Sequence, residues 1–254
     1  MLVDNNFIYV NLPRCGSTSF HYSCILHDLE IKNLHLEWGK INSKINFKNI
    51  DEKNIMNLIL HGHEELPLLR EKFGFKYPVI AVKRDRHDTF YSLYKHILFD
   101  LKRANAHKVY DFFKNISLDE LFFFKTEDLC SRENRLNIIN DFLLKNGLIK
   151  NRAIRPSKLM DLYSEEYIVN VINILITPSS YWHNHDKNII WFDIKELNLM
   201  EKWVSDKIGK EFNLKQVNSS QHIECSLKLN QNFKERYNSI YDFYDVPKTN
   251  KTLI

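Results

Sequence analysis

Short apolar runs alternate with amphipathic stretches along most of the chain, and this pattern predicts strands that alternate with helices. Strands are predicted where β-branched and aromatic residues cluster, at 7–12 (FIYVNL), 55–60, 77–82 (YPVIAV) and 189–194 (IIWFDI). Helical spacing is found between these runs, at 18–29, 64–73, 89–101, 196–208 and 229–243, and it dominates 117–176. The alternation predicts one α/β domain over 1–254, with a central, mostly parallel sheet flanked by helices.

The composition narrows the class of protein. With 254 residues, 44% of them hydrophobic, the chain is long and apolar enough to bury a full core, so we exclude a disordered protein. A net charge of +4 fits an anionic ligand, but it is too small to indicate a nucleic-acid surface. No CxxC spacing, secretory signal or membrane-length apolar run is visible. We therefore expect a cytoplasmic protein without a metal site or a membrane span.

A loop suited to an anion follows the first predicted strand, at 12–19 (LPRCGSTS). The start of a helix presents backbone N–H groups and a positive dipole end to a ligand. Gly16 allows close approach of the backbone, Arg14 supplies a fixed charge, and residues 17–19 supply hydroxyls. A plain helix capped by Ser17 fits the same residues. A Walker A loop does not, because its lysine and its spacing are missing.

A second motif follows the strand at 77–82, within 83–94 (KRDRHDTFYSLY). Arg84 stands at the predicted strand end, and Ser92 lies eight residues further on, about two turns into the next helix. A guanidinium and a hydroxyl in this arrangement can bind one anionic group. Taken alone, however, these residues fit an exposed charged loop followed by an ordinary helix serine better than they fit a binding site.

Taken together, the two motifs resemble those of the sulfotransferases that use 3'-phosphoadenosine 5'-phosphosulfate (PAPS), including the spacing from Arg84 to Ser92. The resemblance implies a P-loop-kinase-like fold and sulfuryl transfer from PAPS to an acceptor hydroxyl on a glycan or small molecule. It also implies that Arg84 and Ser92 bind the 3'-phosphate. The implied 5'-phosphosulfate site is formed by Arg14, Cys15, Gly16, Ser17, Thr18 and Ser19.

The sequence His61-Gly62-His63 lies between these motifs and is similar to an HGH of the uronyl 2-O-type glycan sulfotransferases. In those enzymes a histidine accepts the proton of the acceptor hydroxyl, a role that suits a side chain titrating near neutrality. We favour His63 over His61, with Glu64 as the reserve candidate. A helix-capping histidine and an HxH metal pair remain alternatives.

The resemblance continues more faintly toward the C-terminus, at 189–198, 218–220 and 233–246, and the middle of the chain is not diagnostic. One departure is clear, because Arg14 stands where the family's first loop carries a lysine. The family's late basic residue at the 3'-phosphate has only Lys228 as a candidate here.

Other functions fit parts of the same sequence. A nucleotide or small-molecule kinase of P-loop type would use the same strand–loop–helix element. A metal hydrolase would use HGH with the second HxH pair, His183 and His185. A degenerate binding module would hold the nucleotide without transferring anything. The acceptor also stays open, since a protein tyrosine is compatible with the motifs.

Overall fold

The structure, a computed structural model, describes residues 1–32, 63–129, 131–153, 164–215 and 224–242. These residues form two compact units, each drawn from more than one part of the chain. The first unit consists of the described residues within Met1–Arg84 and Ser179–Asn218. The second consists of those within Asp85–Pro178 and Ser219–Asp245. The prediction of a single domain over 1–254 stays a prediction.

A mixed sheet forms the centre of the first unit. Its strands in the described residues are β1 (Leu2–Val3), β2 (Phe7–Val10), β3 (Ile31–Lys32), β4 (Val79–Lys83) and β5 (Ile189–Asp193). They lie in the order β3-β1-β2-β4-β5. β2, β4 and β5 run parallel, with Ile8 opposite Val79 and Val79 opposite Ile189, whereas β1 is antiparallel to both β2 and β3. The carboxyl ends of the three parallel strands therefore meet at one edge.

The α/β class is confirmed, and so are the strands predicted near 7, 77 and 189. The pattern missed β1 and β3 because two residues are too few to show a period. Both add antiparallel pairs at one side of the sheet. The strand predicted at 55–60 lies outside the described residues, so a mostly parallel sheet stays a prediction.

Ten α-helices and one 3-10 helix, Thr126–Leu129, are found in the described residues. Helical spacing predicts most of them, but it does not predict His107–Asn115 or Ser179–His183. The α-helices, in chain order, are α1 (Ser17–Leu26), α2 (Leu66–Phe73), α3 (Arg86–Arg103), α4 (His107–Asn115), α5 (Leu118–Leu121), α6 (Arg132–Lys145), α7 (Glu165–Ile176), α8 (Ser179–His183), α9 (Leu197–Ile208) and α10 (Gln231–Tyr241). No described helix is long and apolar enough to cross a bilayer.

The core of the first unit fixes α1 against the sheet. All four residues of β2 are buried, and the ring of Phe20 from α1 stacks on that of Tyr9 at 4.1 Å between centroids. The ring of Phe20 also contacts the rings of Phe7 and Phe212, which complete this aromatic cluster. Both ends of the loop between β2 and α1 are thus held by buried packing.

The second unit is helical, and its packing around the start of α3 is well defined. Asp85 caps α3 by accepting hydrogen bonds from the backbone N–H groups of His87 and Asp88, at 3.0 Å each. The side chains of Arg86 and His87 both donate to Oδ1 of Asn238 in α10, at 2.7 and 2.8 Å. These contacts tie the first turn of α3 to α10.

Candidate functional site

The loop after β2 begins with a tight turn. The N–H of Cys15 donates to the carbonyl of Leu12 at 3.3 Å, and Arg14 has a left-handed backbone with φ of 59°. Pro13 pre-sets the preceding position, so the four residues match a type II turn, in which the third residue needs positive φ. Glycine or asparagine usually fills that place. An arginine there carries backbone strain, which is found more often at functional sites than elsewhere.

Gly16 occupies the N-cap position of α1, and Ser17 is the first residue of the helix. The interpretation of Ser17 as the helix cap is therefore wrong. Gly16 has φ of 81° and, having no side chain, makes no side-chain capping bond to the helix start. A Cβ atom added to Gly16 would meet no described atom within 4 Å. The glycine is thus required by its backbone angle, and its position at the N-cap lets a ligand approach the N–H groups of the first turn closely.

The other predicted loop residues differ in their surroundings. The thiol of Cys15 is buried in the hydrophobic core, and its N–H donates to the Leu12 carbonyl. Ser17 is also buried, whereas Thr18 and Ser19 are half-buried on the first turn. The Ser19 carbonyl accepts a hydrogen bond from the hydroxyl of Ser23 at 2.8 Å, which is ordinary within a helix. The loop can therefore offer backbone N–H groups, hydroxyls and the charge of Arg14.

His63 lies beside this loop. Its Nδ1 is 2.7 Å from the backbone oxygen of Asn11, which directly follows β2 and lies 52 residues away in sequence. A carbonyl oxygen only accepts hydrogen bonds, so Nδ1 carries the proton and Nε2 of the neutral ring carries the lone pair. This is the tautomer that a general base needs, with the proton-accepting nitrogen defined by a fixed contact.

The charge state of His63 follows from its surroundings. Burial lowers the pKa of His63 below its usual value, the hydrogen bond to Asn11 raises it, and the charge of Arg14 lowers it again. Burial is the largest of these effects because it disfavours the charged ring. His63 is therefore neutral at neutral pH, and the influence of Arg14 indicates that the loop and the imidazole share one electrostatic environment.

Two further elements surround His63. The indole of Trp182 in α8 contacts its ring, with 5.9 Å between centroids. The neighbouring Tyr181 donates from its hydroxyl to Oε1 of Glu65, at 2.7 Å, just before α2. Glu64, the reserve base, is buried, with 6% of its surface exposed. The other candidate, His61, lies outside the described residues.

Sequence reasoning missed His21, on the second turn of α1. Its Nε2 is buried and has no hydrogen-bond partner among the described residues. Burial is the main cause that lowers the pKa of His21 to about 3, with smaller effects from the Met1 amino group and from His63. In the sequence, the only sign that His21 lies near the loop is its position four residues, or about one helical turn, after Ser17. This sign is weak.

The two residues assigned to the 3'-phosphate are found in different units. Arg84 directly follows β4 at the end of the first unit, as predicted, and Ser92 lies on α3 in the second unit. Their joint contact with one phosphate stays a prediction. Lys228, the candidate late basic residue, lies just before α10 in the second unit.

The second HxH pair, His183 and His185, lies in the first unit, where hydrogen bonds and an ion pair hold the surrounding side chains. Nδ1 of His183 accepts from the N–H of His185 at 3.1 Å, and burial lowers the pKa of His183 to about 4. Asp186 is bound through Oδ2 by Arg70, at 2.9 and 2.7 Å from its Nε and a terminal nitrogen. Within the described residues, no group of three or more His, Cys, Asp or Glu side chains is arranged to hold a metal ion.

Replacing Gly16 with alanine tests the backbone requirement of the loop. The left-handed angle at Gly16 leads us to expect a loss of about 1–2 kcal/mol in the free energy of unfolding, without a steric clash. Gly209, at the end of α9, is a matched control because it has φ of 70° and the same open space around an added Cβ. Urea unfolding of both variants should give similar losses, and a much larger loss at Gly16 would show that the side chain collides with the protein.

Taken as a whole, the site combines a helix start with glycine at its N-cap, a strained arginine turn and a neutral histidine whose lone pair lies on Nε2. Such an arrangement can bind an anionic group and accept a proton close to it. In comparisons with known proteins, no family model, curated protein or solved structure matches this chain.

Proposed function

We propose that the protein is a PAPS-dependent sulfotransferase that moves the sulfuryl group to an acceptor hydroxyl. The hydrogen bond between His63 and the backbone of Asn11 carries the proposal, because it brings the candidate base to the end of β2, where the candidate anion loop begins. The two motifs are far apart in sequence, and proximity is what the reaction requires of them. The mixed α/β sheet with this loop at its carboxyl edge is compatible with the P-loop-kinase-like fold that the resemblance implies.

In the proposed reaction, Nε2 of His63 removes the proton from the acceptor hydroxyl. The acceptor oxygen forms a bond to sulfur from the side opposite the leaving group. The bond between sulfur and the bridging oxygen breaks, and its electron pair stays on the 5'-phosphate of 3'-phosphoadenosine 5'-phosphate (PAP). Arg14, the N–H groups of 16–19 and the nearby hydroxyls stabilise the charge that develops on the sulfuryl and leaving oxygens.

Within the proposal, Arg84 binds the 3'-phosphate of the nucleotide. Replacing Arg84 with alanine should weaken PAP binding about tenfold or more, because a charge-assisted hydrogen bond to a phosphate is lost. Lys195 is a matched control, since it is an exposed cation that follows the parallel strand β5. Calorimetric titration should show the loss for Arg84→Ala and unchanged affinity for Lys195→Ala. Equal affinities in the two variants would remove Arg84 from the site.

Transfer itself is measured with sulfur-labelled PAPS and a panel of glycans, small hydroxylated molecules and tyrosine peptides. We expect label in at least one acceptor class, and the rate should be unchanged by EDTA because no metal takes part in the proposed steps. A rate that depends on magnesium and on ATP would favour the kinase, and a chelator-sensitive hydrolysis would favour the metal hydrolase.

A further inference from the structure

The candidate base and the candidate donor loop are electrostatically linked. Arg14, from the loop, opposes protonation of His63, and His21, from α1, also faces it. The Met1 amino group also acts on His21, and burial lowers the pKa of this amino group to about 5, so it is largely neutral near pH 7. Trp182, from α8, contacts the ring without bringing charge. Basic groups from three places in the chain thus act around a neutral imidazole, with Glu64 as the adjoining carboxyl group.

We propose that binding of the anionic donor to the loop raises the proton affinity of His63, so that the ring stays available as a base in the donor complex and holds a proton on Nε2 more firmly in the product complex with PAP. The inference rests on the proposed function, and it adds a linkage between the two halves of the site. A donor anion held by Arg14 would offset the positive charge that now opposes the imidazolium. The proton can go only to Nε2, because Nδ1 already donates to the Asn11 oxygen. The same oxygen would then stabilise the charged ring.

The linkage means that the donor binds before His63 becomes an effective base. Without the donor, His63 is a weak base because burial and Arg14 disfavour its charged form. With the donor in place, its proton affinity moves toward the working pH, where a general base is most effective. When the bond to sulfur breaks, the 5'-phosphate gains negative charge, and this charge would hold the imidazolium that has just formed. The base is therefore strengthened by the substrate that it serves.

Proton uptake is measured by calorimetric titration of the full chain with PAP near pH 7, in buffers that differ in ionisation enthalpy. The phosphates of PAP also exchange protons, so the informative quantity is the difference between the wild type and His63→Asn. The amide nitrogen of asparagine can replace Nδ1 as the donor to Asn11, while the titrating Nε2 is lost. His107→Gln, at an exposed position of α4, serves as the control.

We expect the wild type and His107→Gln to take up more protons on binding PAP than His63→Asn does, by up to one proton per PAP bound. We also expect the affinity of the wild type, relative to His63→Asn, to rise as the pH falls from 7.5 to 6, by up to about tenfold per pH unit. Equal proton counts in the wild type and His63→Asn, with PAP bound to both, would overturn the linkage but not the nucleotide site. If the wild type does not bind PAP at all, the proposed function itself fails. Should His63→Asn not fold, His63→Gln gives the same comparison.

Discussion

Replacing His63 with asparagine should lower kcat for sulfuryl transfer by about 10²–10⁴-fold, the range typical of losing a general base. The hydrogen bond to the Asn11 carbonyl can survive in this variant, so the loss would report the missing Nε2 and not a displaced loop. Binding of PAP should remain. The comparison therefore separates a catalytic contribution from a structural one, which an alanine substitution alone would not do.

The control for this experiment is His107→Gln, because His107 is exposed at the start of α4 in the second unit. Its kcat should equal that of the wild type. Full activity in His63→Asn would contradict the assignment of the base. In that case His61→Asn and Glu64→Gln become the informative variants, and the HGH motif would have to act through its other histidine.

A fall in pH from 7 to 5 should destabilise the protein by about 4 kcal/mol through His21 and His183 together. In the folded chain their pKa values are about 3 and about 4, whereas an unfolded histidine has a pKa of about 6.5. Below pH 6.5 the unfolded chain therefore binds more protons than the folded chain. Stability is full above this pH and is lost as the pH falls toward the folded values.

The measurement is urea unfolding at pH 7 and at pH 5. His183→Asn keeps an acceptor for the N–H of His185, and His21→Asn removes the other buried ring. Each variant should reduce the loss between pH 7 and pH 5 by about 2 kcal/mol, and the loss that remains in the double variant should come from His63 and the Met1 amino group, whose pKa values burial also lowers. A wild-type stability that is the same at both pH values would show that neither ring is buried in its neutral form.

The sequence predicted the strand, loop and helix that position the site better than it predicted the backbone angles and contacts of the site residues. A β-branched run, a proline, a glycine and a return of helical spacing were enough to place the loop between β2 and α1. The left-handed angle at Arg14 was not predictable, because arginine does not signal positive φ as glycine does. The error at Ser17 has the same origin, since a serine near a helix start looks like a cap until the backbone angle of Gly16 is known.

Contacts that are distant in sequence were beyond the reach of local patterns. HGH predicted a base, but the bond that selects the tautomer of His63 joins it to a backbone atom 52 residues away. His21 looked like an ordinary helix residue, although its Nε2 is buried. Likewise, the charge of Arg70 gave no hint that Asp186 binds it. These three features depend on burial or on contacts between residues far apart in sequence. Neither can be predicted from the spacing of residues along the chain.

Melting curves recorded with increasing PAP, in the presence of EDTA, show whether this chain binds the nucleotide. A ligand that binds only the folded state stabilises it by about 2.7 kcal/mol at one hundred times its Kd. For a chain of this size we predict a rise in Tm of about 5–10 °C at that concentration, and a smaller rise with adenosine 5'-phosphate. A Tm that stays unchanged at millimolar PAP would contradict the account.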